Sequence, residues 1–194
     1  MADLTANRMG GYIEDRAAGA RNPRASLRVW DPIVRVFHWA VVGGCVLNLF
    51  IVDDASVWHL YIGYAVAAAL FVRLLWGLVG SRHARFGDFV PAPSRLLDYL
   101  VKRLQNREPR YVGHNPAAAI MILALMLSLI IVSVSGWMIT LEAYFGVEWV
   151  EDLHTRSADA ILWLAGLHAA AALFESHHHG ENLVWSMITG RKRP

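Results

Sequence analysis

Four stretches of the chain are long and apolar enough to cross a lipid bilayer as helices. The first, about 33–52, contains seventeen consecutive residues without Lys, Arg, Asp or Glu, and the second, about 57–80, is interrupted only by Arg73. The third, about 115–141, carries no formal charge, whereas the fourth, about 153–175, has polar residues in its first turns. A spanning helix needs about 20 mainly apolar residues. The pattern therefore predicts an all-α integral membrane protein, a four-helix bundle.

The composition favours this membrane protein over a soluble helical bundle, which is the alternative interpretation of the pattern. Apolar residues make up 56% of the chain, charged residues only 18%, and the mean hydropathy is +0.35. Soluble domains have about 45–50% apolar and about 25% charged residues. The bases are interleaved with long apolar stretches, which argues against a nucleic-acid-binding arm. Cys45 is the only cysteine, so a Cys-x-x-Cys-His motif and a covalently attached c-type haem are excluded.

The distribution of basic residues predicts the orientation of the spans. Sixteen of the eighteen Lys and Arg residues lie in 1–35, 82–110 and 191–194. The two other connections contain no base and carry six acids: Asp53, Asp54, Glu142, Glu148, Glu151 and Asp152. Because basic residues mark cytoplasmic segments, we expect both termini in the cytoplasm. Residues 1–28 are expected to form a flexible cytoplasmic arm, and 29–194 the membrane domain.

The connection between the second and third spans is predicted to hold a short amphipathic helix. Pro91-Ala92-Pro93 interrupts the chain there, and 95–105 mixes apolar and basic residues. Such a helix lies along a leaflet with its basic side chains near the lipid headgroups.

Four histidines fall at two depths in the predicted spans. His38 and His168 lie towards the cytoplasmic ends of the first and fourth spans, whereas His59 and His154 open the second and fourth spans on the outer side. The fourteen residues from His154 to His168 separate the two side chains by about 40° around the helix and about 21 Å along it. We therefore expect an inner pair, His38 with His168, and an outer pair, His59 with His154.

Two imidazoles that meet at one depth inside a helical bundle suit the axial ligation of a haem iron. Two such levels predict two non-covalent haems stacked across the membrane. A single intramembrane histidine is more often hydrogen-bonded to nearby backbone, but two level-matched pairs favour ligands. Zinc is the competing metal, yet its sites need three or four protein ligands and each level supplies two. Histidine at both axial positions leaves the iron no open site, which favours electron transfer.

Three arginines lie near these levels. Arg73 reaches the depth of the inner pair, where it would either pair with a haem propionate or extend to the inner interface. Arg35 lies one turn before His38, and Arg156 closely follows His154. These two are candidates for propionate binding or ordinary solvated arginines.

Several smaller features have two interpretations each. A run of three histidines follows the fourth span: His177, His178 and His179. The run is either solvated or serves metal binding or proton uptake, because histidine titrates near neutral pH. His83 is expected to be solvated, and His114, before Asn115-Pro116, to lie at a helix start. Gly43-Gly44 and Ser133-Val-Ser-Gly136 predict close helix packing or clearance for a flat cofactor.

The sequence resembles the bacterial cytochrome b561 and nickel-hydrogenase cytochrome b family from about Leu27 to the C-terminus. The matching strings are Val29-Trp-Asp-Pro-Ile-Val-Arg-Val-Phe-His38-Trp39, Trp58-His59-Leu-Tyr-Ile-Gly63-Tyr64, Arg73-Leu-Leu-Trp-Gly-Leu-Val-Gly-Ser81, Arg110-Tyr-Val-Gly-His114-Asn-Pro116, Leu153-His154, Gly166-Leu-His168-Ala-Ala and Glu181-Asn-Leu-Val-Trp-Ser-Met-Ile-Thr-Gly-Arg-Lys-Arg193. The histidine run before Gly180 departs from the family pattern. It leaves open a site of its own.

The resemblance implies a di-haem b protein of the bacterial inner membrane that passes electrons between a membrane quinone and a periplasmic partner such as a cytochrome c or a hydrogenase. The ligands it implies are the four residues already selected by depth: His38, His59, His154 and His168. Members of the wider family oxidise superoxide and reduce quinone, so an enzyme is one alternative; a non-redox scaffold or metal transporter is another. The acidic outer connections favour a cationic partner over an anionic substrate. A homodimer is compatible with the sequence.

Overall fold

The computed structural model describes residues 27–28, 31–81, 84–105, 107, 115–178, 180 and 182–192. Within these residues the regular secondary structure is helical except for two short strands. The helices are α1 (Pro32–Phe50), α2 (Val57–Val79), α3 (Phe86–Phe89), α4 (Pro93–Leu104), α5 (Pro116–Ile139), α6 (Glu148–His178) and α7 (Leu183–Thr189). The strands are β1 (Leu27–Arg28) and β2 (Arg191–Lys192).

Polar side chains determine where the helices begin. Asp31 accepts a hydrogen bond from the Ile33 amide at 2.8 Å ahead of α1, and Asn115 accepts one from the Ala118 amide at 2.7 Å ahead of α5. Ser56 caps α2 in the same way. Each bond satisfies a first-turn amide that has no partner within its own helix.

The four predicted spans are confirmed as α1, α2, α5 and α6, each long and apolar enough to cross a membrane. The fourth predicted span, α6, begins at Glu148 rather than near residue 153 and ends at His178 rather than near 175. Val150, which is completely buried, anchors the extra turn at the start of this helix. Its 31 residues extend for about 46 Å, so the polar first turns reach beyond a hydrocarbon core of about 30 Å. The predicted amphipathic helix is also confirmed, as α4.

The long helices form two antiparallel hairpins, α1 with α2 and α5 with α6, which meet where α2 packs against α5. The buried core lies at this junction and consists of Val66, Leu70, Met126, Leu129 and Ile161. Many large apolar side chains point outward instead. Because soluble proteins rarely expose large contiguous apolar patches, these outward faces are suited to lipid.

The bundle has two distinct ends. The turn end contains the short connections 51–56 and 140–147. The terminal end contains the start of α1, the end of α6 and the helices α3, α4 and α7. There β1 pairs antiparallel with β2, with Leu27 opposite Lys192. The two ends of the described chain therefore lie at the same end of the bundle.

Some sequence predictions fall outside the described residues. These are His83, His114, His179 and residues 1–26 of the predicted arm. The last two residues of that arm, Leu27 and Arg28, are described and form β1.

Candidate functional site

The structure brings His59 and His154 together at the turn end. Their ring centroids lie 6.2 Å apart, with an angle of 63° between the ring planes. His59 is in the first turn of α2, and His154 is in the second turn of α6. The two imidazoles therefore face each other between the two helical hairpins.

The hydrogen bonds of His154 identify which ring nitrogen carries a proton. Its Nδ1 atom lies 3.0 Å from the Val132 carbonyl and 3.3 Å from Ser135 Oγ. A carbonyl can only accept, and the Ser135 hydroxyl donates its own proton to the Ile131 carbonyl at 2.7 Å. Nδ1 must therefore be the donor, which leaves the lone pair on Nε2 to bind a metal.

Gly136 provides the space in which the His154 ring sits. A Cβ atom at this position would lie 2.8 Å from His154 Cε1. The sequence predicted either packing or clearance for a flat cofactor at 133–136, and the structure shows that Gly136 gives clearance to the histidine itself.

Among the described residues, the His59 ring lacks hydrogen bonds such as those formed by the His154 ring. Its Nδ1 atom is buried without a hydrogen-bond partner among the described residues, and Asp54 Oδ1 is 3.8 Å away. Asn48 Nδ2 donates to the His59 carbonyl at 3.0 Å. Sequence reasoning missed Asn48, although a lone amide within an apolar span is the signal that could have identified it.

The second predicted pair lies at the terminal end. His38 Nδ1 is buried and has no hydrogen-bond partner among the described residues. His168, on α6, lies close enough to interact with His38 electrostatically. Trp39 places its ring edge-on to His38, with centroids 5.1 Å apart. Unlike His154, neither histidine of this pair has a hydrogen bond to its ring within the described part of the chain.

The backbone of α6 packs along α5 and makes no extensive packing with α1 or α2 in the described residues. Gly43 and Gly166 are exposed, and a Cβ atom at either position would meet nothing within 4 Å. Gly44 differs from its neighbour because it packs against the Val66 side chain.

Each level of the site supplies two imidazoles and no third metal-binding side chain. Among the described residues, no group of three or more His, Cys, Asp or Glu side chains is arranged to hold a metal ion. A tetrahedral zinc site needs three or four protein ligands. The donor set instead matches a metal that already carries an equatorial ligand, as haem iron does.

Arg73 is buried at the terminal end, with only 4% of its surface exposed. Its Nη2 atom donates to the Ala84 carbonyl at 3.0 Å, and its guanidinium lies over the Phe86 ring at 5.1 Å. Asp31 interacts with it electrostatically. Nη1 has no hydrogen-bond partner among the described residues, so one side of the guanidinium remains able to bind an anion.

The other two predicted arginines have protein partners. Arg35 donates from Nε to the Met187 carbonyl at 3.2 Å and from Nη2 to the Ile188 carbonyl. It therefore caps the last turn of α7 and ties that helix to α1. Arg156 is exposed and forms an ion pair with Asp152 at 3.0 Å.

The first residue of the histidine run borders an open cleft of about 390 Å³ between α6 and α7. The cleft is lined by Leu173, Ser176, His177, Gly180, Asn182 and Val184. Close by, Arg103 on α4 forms an ion pair with Glu175 at 2.7 Å, which fixes the amphipathic helix to the end of α6.

Comparison with known families supports the resemblance seen in the sequence. The family model described as prokaryotic cytochrome b561 matches residues 29–190. This chain belongs to that family. The family and its b-type cytochromes support membrane electron transfer by haem b as the activity of this chain.

Curated relatives cover most of the chain. A probable Ni/Fe-hydrogenase B-type cytochrome subunit of Rhodobacter capsulatus is 27% identical over 87% of this chain and 82% of the relative. The protein of the same name from Cupriavidus necator is 28% identical over 93% of this chain and 92% of the relative. No solved structure matches the chain significantly. This bacterial cytochrome is thus an integral membrane protein with relatives that are named as hydrogenase subunits.

Proposed function

We propose that this cytochrome relays single electrons across the bilayer through two non-covalent haem b groups, between a membrane quinone and a periplasmic redox protein. His59 and His154 would hold one haem at the turn end, and His38 and His168 would hold the other at the terminal end. The observation that carries the proposal is the approach of His59 and His154, whose ring centroids are 6.2 Å apart. Imidazole nitrogens bind metals at about 2 Å, so rings on opposite sides of one metal atom have centres roughly 6 Å apart.

Other features also fit a haem. Each level offers two imidazoles, and the buried Arg73 has an Nη1 atom with no hydrogen-bond partner among the described residues, which would pair with a propionate. Gly43 and Gly166 have no neighbour within 4 Å of a Cβ position, so they would not obstruct a cofactor. Haem iron supplies a reversible one-electron change between the ferric and ferrous states. Two histidine ligands leave no open position for a substrate, which supports a relay over chemistry on the iron.

The proposed orientation places the terminal end in the cytoplasm and the turn end in the periplasm, since the basic residues are concentrated at the terminal end. The acidic turn-end surface is defined by Asp53, Asp54, Glu142, Glu148, Glu151 and Asp152, all of which are exposed. Arg156 is the one base at its edge and is paired with Asp152. This surface suits a cationic protein partner, whereas it would repel an anion such as superoxide.

The names of the curated relatives support a hydrogenase as one partner class, and a basic cytochrome c is the other. For the quinone we propose the cleft between α6 and α7, where His177 could exchange protons. The ion pair between Arg103 and Glu175 lies next to this cleft, at the terminal end of α6.

The decisive experiment counts haems in the purified protein. Pyridine haemochrome analysis should give two haems per chain with low-spin spectra. His154→Ala should remove the turn-end haem only, and His168→Ala the terminal-end haem only. His177→Ala, which alters a histidine outside both pairs, should retain both. One haem or none in the unmutated protein would contradict the proposal and favour a scaffold or transporter.

A further inference from the structure

The two histidine levels differ in their hydrogen bonding. At the turn end, His154 donates from Nδ1 to the Val132 carbonyl, with Ser135 Oγ as a second acceptor. His59 Nδ1 has no hydrogen-bond partner among the described residues, but the exposed Asp54 carboxylate lies 3.8 Å from it. At the terminal end, His38 Nδ1 is also without a partner, and no described residue forms a hydrogen bond with the His168 ring. Acceptors on Nδ1–H therefore occur at only one of the two levels.

The two levels also differ in charge. This difference should shift the reduction potential in the same direction as the difference in hydrogen bonding. Carboxylates dominate the turn end, where the acidic turn-end surface surrounds the entrance to α2 and α6. At the terminal end, the buried Arg73 has an Nη1 atom without a hydrogen-bond partner among the described residues, although Asp31 offsets part of its charge. Arg35 lies one helical turn before His38 and supplies a second cation.

Both differences act on the reduction potential of a bound metal. An acceptor on the imidazole N–H makes the ring a more basic ligand, which stabilises the oxidised metal. Nearby carboxylates also stabilise the more positive, oxidised state, whereas buried guanidinium groups destabilise it. The turn end should therefore have a low potential and the terminal end a high potential.

We propose that the turn-end site has the lower reduction potential of the two and that Ser135 and Asp54 are positioning residues that lower it. The inference rests on the proposed function, because it presupposes a haem at each level.

The test is a redox titration of the purified protein with both haems bound, followed by optical and electron paramagnetic resonance spectra. His38→Ala, which should keep only the turn-end haem, assigns the two potentials to their sites. We expect the step that remains in His38→Ala to match the lower potential of the unmutated protein.

Two variants then test the residues themselves. Ser135→Ala and Asp54→Asn should each raise the lower potential and leave the upper one unchanged. A threefold change in the equilibrium constant between the sites would appear as about 30 mV, since tenfold is 59 mV for one electron. Ser157→Ala is the matched control, because Ser157 Oγ donates to the His154 carbonyl and does not touch the ring. This control should move neither potential.

The outcomes separate this inference from the proposed function. If the protein binds fewer than two haems, the proposed function fails. If it binds two haems and the turn-end haem has the higher potential, only the inference is wrong. If the order is as expected but Ser135→Ala and Asp54→Asn behave like Ser157→Ala, the assignment of these two residues is wrong.

Discussion

Replacing Gly136 with alanine should weaken the turn-end haem site and leave the terminal-end site intact. The new Cβ atom would lie 2.8 Å from His154 Cε1 and 3.1 Å from His154 Nδ1. Carbon atoms in contact prefer a separation of at least about 3.5 Å, so the imidazole must retreat by roughly 0.7 Å. A shift of this size away from α5 would stretch the 3.0 Å bond to the Val132 carbonyl beyond hydrogen-bond range.

The expected loss follows from these two effects. Overpacking costs about 1–3 kcal/mol and a lost hydrogen bond about 1 kcal/mol, which together make about 2–4 kcal/mol. Because 1.4 kcal/mol corresponds to a factor of ten, haem should bind at the turn end roughly 30- to 700-fold more weakly. Haem titration of the purified variant, with His38→Ala introduced to isolate the turn-end site, measures this affinity.

Gly87→Ala is the matched control for this substitution. A Cβ atom at Gly87 would meet nothing within 4 Å, and the residue lies in α3, outside the four long helices. The Gly87→Ala variant should retain both haems. Unchanged turn-end affinity in Gly136→Ala, or loss of the terminal-end haem instead, would refute the steric reasoning.

Three further outcomes are expected. Arg35→Ala removes two hydrogen bonds to the α7 carbonyls, and each bond from a charged donor contributes about 1.5–3 kcal/mol. The backbone amides of α7 should therefore exchange hydrogen faster. Arg156→Ala, which alters an exposed arginine, is the matched control and should leave exchange in α7 unchanged. His177→Ala should slow quinone-dependent reoxidation of the haems without altering their spectra. A reoxidation rate equal to that of the unmutated protein would indicate that His177 is simply solvated. Electron exchange with a basic cytochrome c should slow as salt rises, because the Debye length falls to about 10 Å at 0.1 M; a rate independent of salt, or rapid haem reduction by superoxide, would contradict docking at the acidic turn-end surface.

The architecture was predictable because the bilayer imposes a simple length requirement. Long apolar runs predicted α1, α2 and α5 closely. The start of α6 was misplaced most, because its first turns are polar and an apolar pattern does not include them. The pairing of His59 with His154 was also predictable, since it depends on helix rise and depth alone.

Contacts made by the backbone were not predictable from the sequence. Arg35 was a candidate for a propionate, but its guanidinium lies on carbonyl groups of α7, about 150 positions further along the chain. Ser135 and Gly136 suggested packing, and their relation to His154 required the register between α5 and α6. Carbonyl acceptors such as that of Val132 have no signature in the side-chain pattern. The residues that tune a site are therefore harder to identify than the residues that form it.

Arg73 illustrates how burial decides between interpretations that the sequence leaves open. An arginine that extends to the membrane interface keeps its guanidinium in water, yet this side chain is only 4% exposed. Ala84, which is itself buried, supplies one acceptor, and the Phe86 ring covers one face of the guanidinium. A buried cation needs its remaining N–H groups satisfied, and Nη1 has no partner among the described residues. Asp31 offsets part of the charge of this guanidinium, and a haem propionate would supply the acceptor that Nη1 lacks.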